Sequence, residues 1–123
     1  MAAQDPFVEH CAELLAGSGR VRVRRMFGGH GLYLDGLFVA IVARGRLYLK
    51  VDGETRATFQ AAGCAPFVYD GGGREVTLNY WSAPDEAMDS PALMGPWARR
   101  ARQAALSAAQ RKPARRRKPL PRA

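Results

Sequence analysis

At 123 residues, 47% hydrophobic and 24% charged, the chain has room for one hydrophobic core, which excludes both a second independent domain and a wholly disordered polymer. Cys11 and Cys64 without CxxC or Cys/His spacing exclude a disulfide framework and a zinc site, and no apolar run approaches the ~20 residues of a membrane span, so a soluble, cytoplasmic protein with reduced thiols is expected. The net charge of +8 resembles a nucleic-acid signature, but seven basic and no acidic residues lie from Arg111 onward; the preceding body sets twelve Lys/Arg against eleven Asp/Glu and has no overall field that draws in polyanions.

Asp5-Pro6 is a helix start, N-cap followed by proline, and Phe7, Cys11, Leu14 and Leu15 recur at helical spacing, so a helix is predicted to about Ala16, stopped by Gly17-Ser18-Gly19. Cys11 falls on its apolar stripe and reads as core, and His10 falls on its polar side. Four strands follow, Val21 to Phe27, Gly31 to Leu34, Leu37 to Ala43 and Leu47 to Val51, the last three joined by hairpin turns at Asp35-Gly36 and Arg44-Gly45. Leu37 to Ala43 is apolar on both faces, which predicts a central strand covered by helices on one side and by a partner subunit on the other, hence a homodimer.

Thr55 to Ala62 reads as a two-turn helix ended by Gly63, and Pro66 to Tyr69 and Glu75 to Trp81 as strands joined across Gly71-Gly72-Gly73. Ser90-Pro91 opens a last helix to about Gln110, with Leu93, Trp97, Ala101, Ala104 and Ala105 as its buried stripe and Gly95-Pro96 splitting or kinking it. The expected fold is α+β: one domain over residues 1–110, with an antiparallel or mixed sheet of about six strands flanked by three helices in the order α-β4-α-β2-α. Residues 111–123, rich in proline and arginine, are expected to form a disordered basic tail.

Arg25-Met26-Phe27-Gly28-Gly29-His30-Gly31-Leu32-Tyr33, then Leu47-Tyr48-Leu49-Lys50-Val51-Asp52, Pro66-Phe67, and Tyr80-Trp81 before Pro84 together resemble the N-terminal domain of the TfoX (Sxy) family, over about Asp5 to Gln110. The resemblance implies an α+β domain with helices flanking the sheet and a link to competence regulation. Larger members carry a second, helical domain, whereas here only the basic tail is expected to follow.

No constellation points to catalysis. Gly28-Gly29-His30-Gly31 lacks the Lys-Ser/Thr and the helix start of a phosphate loop, and neither His10 nor His30 has a partner visible in sequence. Arg20, Arg22 and Arg24 alternate along the first strand and share one face unless a bulge at Arg24-Arg25 shifts the register, which makes them the local basic patch for nucleic acid or an acidic partner. Tyr69, Tyr80 and Trp81 have the chemistry to stack on single-stranded bases, but alternation groups Tyr80 with Val76 and Leu78 and favours its burial. In the tail, Arg111, Lys112, Arg115, Arg116, Arg117, Lys118 and Arg122 would give a log–log salt slope of up to about −6 on duplex DNA, with little sequence preference. The expected function is a non-enzymatic regulatory module that works through protein contacts, with weak non-specific nucleic-acid affinity from the tail and no cofactor or metal. The alternative is a small ligand-binding domain or enzyme with a pocket at the helix–sheet junction near Phe27, Tyr33 and Tyr48.

Overall fold

The computed structural model describes residues 5–26, 29–70 and 75–117, with side chains described for these except 69, 70, 75–78 and 111–117. Phe27, the Gly71-Gly72-Gly73 turn and residues 118–123 lie outside the described residues. Helix α1 (Pro6–Ala16) begins where Phe7 N–H donates to the Asp5 carboxylate at 2.8 Å, and it buries Val8, Cys11, Leu14 and Leu15. Strands β1 (Val21–Met26), β2 (Gly29–Leu34), β3 (Leu37–Ala43) and β4 (Arg46–Lys50) follow, then α2 (Arg56–Ala61), β5 (Pro66–Asp70), β6 (Glu75–Ser82), a short 3-10 helix (Asp85–Asp89) and α3 (Pro91–Arg117). The β2–β3 and β3–β4 turns place Asp35 and Gly36 at φ 50 and 85, and Arg44 and Gly45 at φ 54 and 72. Paired positive φ is the two-residue hairpin geometry that matches strand twist.

The six strands form one open sheet in the order β1-β2-β3-β4-β6-β5, and every pairing is antiparallel. The helices share one face of it. Leu32 and Leu34 of β2, Leu47 and Leu49 of β4, Phe59 of α2, Ala87 of the 3-10 helix and Met94, Ala98 and Ala101 of α3 meet α1 in a single core. β3 serves both faces by a bulge: Leu32 pairs with Ala40 but Tyr33 with Phe38, so Val39 has no partner across the ladder. Val39 and Ala40 therefore both face the helices, while Phe38, Ile41 and Ala43 face the other side.

The two-sided apolar character of Leu37 to Ala43 is thus satisfied within the chain, since Ile41 is 0% exposed among Phe38, Tyr48, Phe67 and Tyr80. Burial that motivates a second copy in the sequence is supplied by the chain's own rings.

Three expectations change in the last helix. Leu93 is 47% exposed; the buried stripe instead runs through Met94, Ala98, Ala101, Ala104 and Ala105, with Trp97 partly buried at its edge. The stripe is set by where Ser90 caps the helix, and one residue of phase moves a side chain by about 100°. Gly95-Pro96 does not split the helix, because Pro96 lies near its N-terminus, where losing one N–H removes only the bond to the Ala92 carbonyl. The helical backbone also passes Gln110 and continues to Arg117, with Ala, Arg and Lys favouring it and Pro113 removing the bond to the Ala109 carbonyl.

Candidate contact surface on the helix-free sheet face

Strand alternation sends every second side chain away from the helices. On β1, Val21 and Val23 pack toward the core, so Arg22 and Arg24 lie on the opposite face, paired across the ladder with Tyr33 and Gly31. The β1–β2 register is continuous, and no bulge at Arg24-Arg25 disturbs this. Arg20 stands just before the strand; its amide donates to Asp35 Oδ1 at 3.0 Å, and its carbonyl accepts from Asp35 N at 2.9 Å. Of the three arginines singled out in sequence, the sheet brings Arg22 and Arg24 together on one face and fixes Arg20 beside the β2–β3 turn.

A row of rings crosses the same face. Tyr33 stacks on Phe38 with centroids 5.0 Å apart, Phe38 lies 5.5 Å from Tyr80, and Tyr48 lies 4.8 Å from Phe67. Phe67 and Tyr80 are nearly closed off, at 2% and 7% exposed, while Tyr33, Phe38 and Tyr48 keep part of their surface in solvent. Cations stand over two of the rings: the Arg44 guanidinium 5.8 Å from the Phe67 centroid, and Lys50 Nζ 4.7 Å from that of Tyr80. Lys50 also donates to the Tyr80 hydroxyl at 3.4 Å, and burial, with a smaller contribution from Tyr33, pushes the Tyr80 phenol well above its ordinary pKa. Tyr80 therefore stays neutral at any physiological pH.

Arg46 alternates with Tyr48, whose neighbours Leu47 and Leu49 are core, so it too belongs to this face. Arg22, Arg24, Arg44 and Arg46 are all exposed. No carboxylate occurs among the described strand side chains.

Sequence reasoning did not connect Arg44, Arg46, Tyr33, Phe38 and Tyr48 as one surface. Alternation within β4 carried the signal for Arg46, while the bulge at Val39 concealed Phe38. Tyr33 and Tyr48 do not line a helix–sheet junction as anticipated, because they point away from the helices. Trp81 packs into the helix-side core, leaving Tyr80 as the one ring of the anticipated stacking set placed here; the Tyr69 side chain lies outside those described.

Elsewhere, a cavity of about 140 Å³ at the junction of β4, β6 and α3 is lined by polar groups including Asp52, Arg56 and Asn79. An open groove of about 520 Å³ runs between the start of β1 and the β2–β3 turn, lined by Arg20, Val21, Arg22, Asp35 and Gly36. His10 Nε2 lies 2.9 Å from the Met88 carbonyl and ties α1 to the 3-10 helix, a structural role. Cys11 is fully buried, and burial pushes its thiol up to about 12. Among the described residues, no His/Cys/Asp/Glu group could hold a metal ion and no helix is long and apolar enough to cross a membrane. Arg111, Lys112, Arg115, Arg116 and Arg117 lie on the terminal stretch of α3, their side chains outside those described, and Lys118 lies beyond the described residues.

Residues 13–105 match the family described as TfoX N-terminal domain. The chain is also similar to DNA transformation protein TfoX1 of Aliivibrio fischeri, 34% identical over 76 residues, an alignment that covers 62% of this chain and 36% of the relative. The chain thus spans a little over a third of the length of the curated relative it matches.

Proposed function

The chain belongs to the TfoX N-terminal-domain family, and from that premise we propose that it is a non-enzymatic regulatory module that works in the cytoplasm by presenting surfaces to partners. The process it serves is DNA transformation, carried over from the name of the Aliivibrio relative. Protein contacts are made by the folded domain, and the basic segment from Arg111 to Lys118 adds weak, non-specific affinity for nucleic acid.

The observation that supports this reading is the helix-free sheet face: a broad, solvent-facing array of arginines and partly exposed rings rather than an enclosed site. Small-molecule sites are concave and typically about 300–1,000 Å³. The cavity beside Asp52, at about 140 Å³, falls below that range, and both it and the larger groove beside Asp35 lie half open to solvent rather than enclosed.

Fluorescence anisotropy on non-specific duplex DNA across a salt series tests the part assigned to the basic segment, comparing wild type with Arg115, Arg116 and Arg117 all changed to Gln. The wild type binds with a steep salt slope, and the variant's slope is shallower by about 2.7, close to 0.9 for each lost phosphate contact. Absence of binding by either protein at low salt overturns the nucleic-acid part. A small molecule co-purifying at one equivalent, seen by native mass spectrometry, overturns the contact-module reading in favour of a ligand-binding domain.

A further inference from the structure

We propose that the helix-free sheet face is a binding platform for single-stranded nucleic acid, with Tyr33, Phe38 and Tyr48 receiving bases and Arg22, Arg24, Arg44 and Arg46 receiving phosphates. This rests on the reading of the chain as a non-enzymatic contact module and gives its helix-free face a nucleic-acid occupant in place of a protein partner.

Charge complementarity selects a polyanion. Two exposed arginines stand on the β1 edge and two at the β3–β4 turn, on the face that carries the rings, while the carboxylates of β5 and β6, Asp70 and Glu75, have side chains outside those described. A second copy of this face is a poor fit, since face-to-face docking would gather the four exposed arginines of each copy in one interface. Among polyanions the rings select one with flat apolar groups. Base–aromatic stacking is worth about 1–3 kcal/mol per base and is open to every base, whereas duplex DNA keeps its bases stacked inside and offers only phosphates.

The dimensions agree. Six strands at about 4.8 Å spacing make a platform some 24 Å across, enough for several nucleotides laid over the strands. The rings are also held in place from within the chain: Tyr33 against Phe38, Phe38 against Tyr80, and Tyr80 under Lys50. Little side-chain order remains to be lost on binding. Gly31 pairs with Arg24 on β1, and a Cβ there would come within 2.8 Å of the end of Met26 and 2.9 Å of the Phe38 ring, so glycine leaves room for that ring beside the arginines.

The test uses the full chain and anisotropy of a labelled oligo-dT of about 12 nucleotides, with a duplex of equal length and poly-glutamate as competitors. At matched salt the single strand binds at least roughly tenfold more tightly than the duplex, and Tyr48→Ala removes roughly tenfold of that affinity. Arg22→Gln combined with Arg24→Gln, at exposed positions where folding is not at stake, makes the single-strand salt slope shallower by about 1.4. Gln at Arg115, Arg116 and Arg117 leaves the single-strand preference intact.

Equal or tighter binding of the duplex overturns the proposal, as does displacement by poly-glutamate at equal charge concentration. Loss of all binding in the Arg115–Arg117 variant, with the sheet-face variants unaffected, overturns it while leaving the contact-module reading in place. A dimer in sedimentation that Tyr48→Ala dissociates also overturns it, in favour of a second copy.

Discussion

Arg102 Nη2 meets Asp35 Oδ2 at 2.9 Å, so the last helix is tied to the tip of the β2–β3 hairpin. The other carboxylate oxygen takes the Arg20 amide, and Gly19 leaves no side chain at a point where a Cβ would lie 2.7 Å from Asp35 Oδ2. Asp35 thus links α3, the hairpin turn and the entry to β1, the strand that carries Arg22 and Arg24. The Arg20 amide and then the Arg102 guanidinium hold its carboxyl below the ordinary value of 3.8.

A lowered pKa means the folded state favours the carboxylate, so this contribution to stability is complete above about pH 4 and is lost as pH falls through the folded pKa. Asp35→Asn keeps an acceptor for Arg20 and tolerates the positive φ but loses the charge on Arg102. Thermal melts at neutral pH place the variant below wild type, and the gap narrows below about pH 4 as wild type loses the same charge. A gap independent of pH contradicts this.

Two glycines of β2 separate two kinds of close approach. A Cβ at Gly29 would overlap the Val42 carbonyl oxygen, a backbone atom that cannot move without breaking the β2–β3 ladder. A Cβ at Gly31 would meet the end of Met26 at 2.8 Å, a flexible side chain, and the Phe38 ring at 2.9 Å. In urea denaturation Gly29→Ala costs about 3 kcal/mol and Gly31→Ala about 1 kcal/mol, within the range for overpacking. The reverse order would mean that β2 shifts where this ladder holds it.

The hairpin turns were legible because Asp35, Gly36 and Gly45 carry their positive φ in their own residue types, Arg44 being drawn to φ 54 by its place in the turn, and the Asp5-Pro6 helix start is legible for the same reason. The contact surface was not. Its strongest arginine pair, Arg22 and Arg24, is readable from alternation, but joining it to Phe38 requires knowing that Val39 is inserted, and a bulge depends on what both sheet faces must bury. Nor does sequence say which side of the sheet the helices take; that follows from all the leucines of β2 and β4 at once, and it sent Tyr33 and Tyr48 away from the junction where a pocket was expected. Leu93 and Met94 are neighbours of similar hydrophobicity, so only the helix phase after Ser90 decides between them.

The two cysteines differ in environment. Cys11 is buried in α1 against the core, while Cys64 is half-buried beside Ser82, whose hydrogen bond opposes the upward shift that burial imposes on its thiol. Because the thiolate is the reactive form, a disulfide reagent at pH 8 labels Cys64 in the native protein and reaches Cys11 only on unfolding. Cys11→Ser, which puts a hydroxyl in a dry site, lowers stability by about 1–3 kcal/mol in urea melts. Equal native labelling rates would mean that α1 opens locally.

Phe59 is the buried residue of α2, fully enclosed and set edge-on to Trp97 of α3 with centroids 5.0 Å apart and ring planes at 71°. A helix of six residues has no stability of its own, so this contact is what seats α2 on the core. Removing the ring leaves a cavity under α2 and exposes one face of Trp97, the residue that also carries the Arg100 guanidinium 4.7 Å from its ring. Phe59→Ala costs about 3–5 kcal/mol, and Phe59→Leu, which keeps most of the volume, costs less and preserves the fold for comparison. Both shift Trp97 fluorescence toward the red as water reaches the indole. An unchanged emission maximum in Phe59→Leu, together with a loss of stability under about 0.5 kcal/mol, would place the anchor of α2 elsewhere.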